Sequence, residues 1–150
     1  MSIDEQVTND LIETLKDGQE GFTRAAKRLE GTDRADLCGA FEDYAAQRAA
    51  FAVQLQTLAA GYGDRAEESG TLTGSLHRGW MALKDLVSGS GDADGVLDAA
   101  EQGEDHAVAA YKKALDEDLS PTLREVVSQQ HRDVKAAHDF VRDARNAASK

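Results

Sequence analysis

The chain is predicted to be all-α: a four-helix bundle with one long crossover that carries an extra short helix. Three observations lead there. Apolar residues recur at three- and four-residue spacing through about 3–29, 34–60, 93–117 and 121–147, and no segment sustains the period-two alternation of a strand. The first and last pairs of runs are joined by short connections, which make antiparallel helix hairpins. About 30 residues separate the second run from the third, enough to return the chain to the far end of the bundle. At 150 residues the expectation is one domain, 1–150, able to bury about two-thirds of the surface its unfolded chain exposes.

The first run opens with Ser2 and Glu5 at the spacing of a capping box. Ile3, Val7, Leu11, Leu15, Phe22, Ala25 and Leu29 then share one face at 100° per residue. Gly18 lies on that face. It costs about 1 kcal/mol against alanine, a cost that a close neighbouring helix or a bulky side chain would offset. Gly31 stops the run, and Thr32 or Asp33 can cap the second. That second run carries Leu37, Phe41, Tyr44, Ala45, Phe51, Ala52, Leu55 and Leu58, and ends at Gly61 and Gly63. In the crossover, Leu76, Trp80, Leu83 and Val87 outline a short amphipathic helix over about 72–88, with Asp92 a cap for the third run. The third run presents Leu97, Ala100, Val108, Tyr111 and Leu115. The fourth opens with Ser120-Pro121, a cap followed by proline at the first helical position, and presents Leu123, Val127, Val134, Val141 and Ala144.

Bulk properties exclude several classes. A formal net charge of −11 opposes a nucleic-acid surface, which needs clustered lysine and arginine. The net of +2 over residues 120–150, against −13 before them, is read as the last helix complementing acidic neighbours. Cys38 is the only cysteine, so no internal disulfide forms; without a nearby activating base it reads as a small core residue. The opening MSIDEQVTND lacks signal-peptide blocks, and no apolar stretch approaches the roughly 20 residues of a membrane span. A cytoplasmic protein with no membrane partner is the expectation.

Where a plain bundle would place leucine, the stripes carry polar residues. Arg48 is central on the second run, Glu104 on the third and Gln130 on the fourth, with His138 at the flank. An unpaired buried charge is very costly, so Arg48 and Glu104 are expected to pair, with Gln130 completing the hydrogen bonds at one level. On the crossover, His77, Arg78 and Trp80 form a patch read as locking the short helix onto the bundle, Trp80 supplying the area.

Four segments carry a family resemblance: DLIETLKDGQEGFTRAA at 10–26, GSLHRGWMALK at 74–84, GEDHAVAAYKKAL at 103–115 and QQHRDVKAAHD at 129–139. Together the chain resembles a bacterial family of ferritin-like four-helix-bundle domains of unknown function. The resemblance implies the ferritin-like fold and a bacterial origin, and suggests a stress-associated role. It supplies no activity.

Di-iron bundles need a glutamate from each of two helices and Glu-x-x-His from each of the others, because two hard ions require converging carboxylates and imidazoles. No Glu-x-x-His occurs here; Lys135-Ala-Ala-His138 has a cation where the glutamate would be. The expectation is therefore a non-enzymatic bundle without cofactor, a homodimer acting through its surface on a protein partner. The alternative is an iron- or manganese-binding oxidase or storage-type bundle built on Glu104 and His138, with Glu101, His106 and His131 as further candidates.

Overall fold

In a computed structural model the described residues are 2–60, 80 and 93–148. They form four helices: α1 (Ile3–Leu29), α2 (Cys38–Ala60, entered through a 3₁₀ turn at Ala35–Leu37), α3 (Ala93–Leu115) and α4 (Pro121–Ala148). Among the described residues there is no strand, and no helix is long and apolar enough to cross a membrane. The short helix expected over 72–88, with its cap Asp92, falls outside the described residues except for Trp80.

Local chemistry sets the helix ends. Ser2 caps α1: its Oγ accepts the Glu5 N–H at 3.2 Å and donates to the Glu5 carboxylate at 3.1 Å. Beyond Leu29 the chain turns through Gly31 at φ 81°, a left-handed conformation that glycine adopts without a Cβ penalty. Thr32 donates to the Leu29 carbonyl and accepts the Arg34 N–H, fastening the hairpin between α1 and α2. The third helix ends at Leu115, two residues before the expected stop. There Arg124, from the next helix, takes the Leu115 carbonyl at 3.0 Å and the Glu117 carbonyl at 2.6 Å, satisfying acceptors that a helix end leaves open.

Two long-range hydrogen bonds fix the directions. The Ser120 N–H donates to Asp4 at the start of α1, and Arg34 donates to the Ala144 carbonyl near the end of α4. Helices α1 and α4 therefore run parallel, with α2 and α3 opposed to both. Residues 61–92 connect the pole where α2 ends to the opposite pole where α3 begins.

The core falls into two clusters. The one at the pole with the α1–α2 turn holds Phe22, Leu29, Leu37, Phe41, Trp80, Leu97 and Val141, among others. Phe22 is its hub, 5.2 Å from Phe41 edge-on, 5.3 Å from Tyr44 and 5.0 Å from Trp80; such pairs add about 0.5–1.5 kcal/mol each to plain burial. The other holds Leu11, Ile12, Leu15, Leu55, Tyr111, Leu123, Val127 and Val134. Ile3, placed on the buried stripe by periodicity, is exposed instead, because it opens the first turn where the bundle's end faces solvent.

Trp80 is buried between two helices. A Cβ built on Gly21 of α1, or on Gly103 of α3, would collide with the indole ring carbons. Two mid-helix glycines thus make the slot that receives the crossover's tryptophan. Gly39, by contrast, has open space around its Cβ position. Gly21→Ala and Gly103→Ala should each destabilise by about 1–3 kcal/mol through overpacking, although alanine is intrinsically the better helix former. Gly39→Ala should be neutral or slightly stabilising. Urea midpoints of the three variants check this, and a gain in midpoint at Gly21 or Gly103 would contradict the slot.

Candidate functional site: a polar layer and a helix seam

The two apolar clusters part at mid-height. On α2, Arg48 stands between Ala45 of one cluster and Ala52 of the other. On α3, Glu104 stands between Ala100 and Ala107, and on α1, Gly18 stands between Leu15 and Phe22. Arg48 and Glu104 are 1% and 0% exposed and meet as a two-pronged pair. Arg48 Nη1 donates to Glu104 Oε2 at 2.7 Å, and Nη2 donates to Oε1 at 2.6 Å. This is the fork geometry in which guanidinium matches carboxylate best.

The rest of the layer is shaped around that pair. A Cβ at Gly18 would sit 3.3 Å from Arg48 Nη1 and 3.5 Å from its Cγ, so the missing side chain makes room for the arginine. The Arg48 Nε donates to Gln47 at 3.3 Å, and the guanidinium carbon lies 5.2 Å from the Phe22 ring centroid, within cation–π range. Burial works against the Arg48 charge, and Glu104 outweighs it, leaving the arginine pKa raised.

Gln130 does not join this layer. Its Oε1 accepts the Tyr111 hydroxyl at 2.7 Å. Its amide nitrogen donates to Gln54 at 2.9 Å and to the Phe51 carbonyl at 3.3 Å. Tyr111 lies seven residues after Glu104, about 10 Å along the helix, so Gln130 builds a second polar layer. The residue of α4 level with the ion pair is the buried Ala137. Burial pushes the Tyr111 phenol well up, with Glu104 adding and Arg48 opposing. The His131 ring stacks on Tyr111 at 6.4 Å, and its pKa is lowered by partial burial and by Lys112 and Lys135.

His138 is placed apart from Glu104's carboxylate, at the seam between α3 and α4. Its Nε2 lies 2.6 Å from Asp105 Oδ1 and its Nδ1 lies 3.1 Å from Asp139 Oδ1. Partial burial opposes the imidazolium, and the hydrogen bonds to Asp139 and Asp105 outweigh it, so the pKa stands above the ordinary histidine value. Glu101, one turn before Asp105, is gripped by Arg145, which also reaches Asp98 at 3.3 Å. One ligand atom from each of Glu101, Asp105 and His138 falls within 4.8 Å of the others.

These positions decide the expected metal pairing. Glu104 and His138 form no common ligand set: the Glu104 carboxylate is bound at both oxygens by Arg48, and His138 faces Asp105 and Asp139. At the level of the pair, Gly18 and Ala137 offer no donor atoms. Among the described residues at this height, the buried carboxylates are Glu104, held by Arg48, and Asp17 of α1.

Of the crossover patch, Trp80 is described and lies in its glycine slot, while His77 and Arg78 fall outside the described residues. His106 and His131, the further metal candidates, are half-buried. Cys38 is half-buried, donating to the Ala26 carbonyl at 3.2 Å; burial, with Glu30, Glu42 and Asp36, raises its pKa, the opposite of what a nucleophile requires. Sequence reasoning missed three arrangements: the Gly21–Gly103 slot, the Tyr111–Gln130 bond, and the Asp105 and Asp139 partners of His138. The first had a signal in two mid-helix glycines with no capping role.

Residues 5–117 match the family described as Domain of unknown function (DUF2383), and the chain belongs to that family. A search of curated proteins gave no match.

Proposed function

We propose that this protein is a ferritin-like bundle that has an ion pair in the position of a metal centre and performs no catalysis. It works through its outer surface, as a homodimer that engages a protein partner. The observation that carries this is the Arg48–Glu104 pair, whose two-pronged geometry commits both oxygens of the Glu104 carboxylate. The helix directions, with α2 and α3 parallel across a long connection, support the ferritin-like topology. A bacterial origin and a stress-associated role rest on the resemblance alone; the cytoplasmic setting rests on the opening sequence and the lack of a long apolar stretch.

The homodimer reading draws support from the outward face of α2. In a chain that is 30% charged, residues 49–60 contain no charged side chain. Ala46, Ala50, Val53, Thr57 and Ala60 all face solvent, Val53 with 59% exposure. Depletion of charge marks the centre of protein interfaces. Sedimentation equilibrium should give a dimer for the wild type and a monomer for Val53→Lys. A monomeric wild type would overturn the assembly.

Catalysis is tested by loading with ferrous iron without oxygen, using the Asp105→Asn variant, which weakens the seam cluster and leaves Glu104 and His138 in place. After desalting, no iron should remain, and oxygen uptake should match buffer. One or two ions retained per chain, with oxygen consumed, would replace the ion-pair account with the oxidase alternative.

A further inference from the structure

The ion pair leaves unexplained why three potential ligands from two helices converge on the flank of the bundle. Glu101 and Asp105 are four residues apart on α3 and so project from one face; His138 meets them from α4. Their donor atoms already lie within 4.8 Å of one another. Oxygen and nitrogen ligands stand about 2.0–2.2 Å from a zinc-type ion, so in tetrahedral geometry two of them lie about 3.4 Å apart. The donors, within 4.8 Å of one another, draw in by up to about 1.4 Å when an ion binds.

The histidine is also held as a ligand would be. Its Nδ1 faces the Asp139 carboxylate at 3.1 Å, the outer partner that typically orients a metal-bound imidazole and leaves Nε2 directed at the ion. That Nε2 points between helices toward Asp105. Three cations lie against the carboxylates of this cluster. Arg145 holds Glu101 but keeps Asp98 as a second partner when Glu101 turns away. Lys135 and Arg142, at 3.1 and 3.4 Å from Asp139, neutralise the outer carboxylate rather than the ligands. Asp105 is exposed, so water can complete the coordination shell.

We propose that Glu101, Asp105 and His138 form a surface site for one divalent transition-metal ion of the zinc type, clamping α3 to α4. The imidazole selects zinc, cobalt or nickel over magnesium and calcium, which prefer all-oxygen shells. The site is separate from the Arg48–Glu104 layer and does not depend on the absence of catalysis.

The test is calorimetric titration of the tag-free full chain, stripped with chelator, with zinc chloride at mildly alkaline pH. A thermal melt with and without zinc accompanies it. One ion per chain should bind and raise the melting temperature. His138→Gln and Glu101→Gln should each weaken binding by ~10-fold or more, with helical circular dichroism intact. His131→Gln should bind as the wild type does, and excess magnesium should not displace the zinc. No binding, equal affinity in His138→Gln, or loss in His131→Gln would overturn the assignment.

Discussion

A guanidinium and a carboxylate taken out of water into a helix bundle must find each other, because either one left alone is severely penalised. That constraint organises the middle of this molecule. Arg48 and Glu104 are held on helices that run parallel, α2 and α3, and their two hydrogen bonds tie those helices together at one height. Gly18 gives way to the arginine stem and Phe22 offers its ring face to the guanidinium. A one-residue slip of either helix would separate the charges, bringing Gln47 or Ala49 to the place of Arg48, or Gly103 or Asp105 to that of Glu104. The pair therefore does more to fix register than to add net stability, since well-packed hydrophobic replacements of buried ion pairs are often neutral or stabilising.

The same height is where the two apolar clusters separate, so each pole packs around its own set of side chains. At one pole the aromatic hub of Phe22 links α1 to α2 and to Trp80. Trp80 reaches this hub only because Gly21 and Gly103 carry no side chains, and it is there that the crossover is fastened to the bundle. At the other pole, Tyr111 and Gln130 bond across the α3–α4 hairpin while Arg124 ties off the end of α3. These interior bonds hold helices in place, while the candidate ligand groups at the α3–α4 seam and the uncharged stretch of α2 over 49–60 lie toward the outside.

Helical phase made Arg48 and Glu104 legible from sequence. At 100° per residue both fall at the centre of an apolar stripe, and electrostatics then demands that they meet. Phase does not give height, and this is why Gln130 was placed one layer too close. Height in a hairpin depends on where each helix stops, and α3 stops at Leu115 because Arg124 captures its last carbonyls, which no periodicity reveals. The Asp105 partner of His138 was hidden for a similar reason: only the α3–α4 register brings it to the imidazole, beside the neighbouring Asp139. The capping of α1 by Ser2 and its stop at Gly31 were readable, because each depends on residues within one turn.

The most direct test of the central claim is a double-mutant cycle on the buried pair, read by urea denaturation. Glu104→Gln in the wild type strands the Arg48 guanidinium and should cost about 3–5 kcal/mol. The same change made in Arg48→Met should cost much less, because the charge it would have stranded is gone. A large coupling between the two substitutions is the predicted result. Equal losses in both backgrounds would mean that the two charges do not depend on each other, and the account of the polar layer would fail.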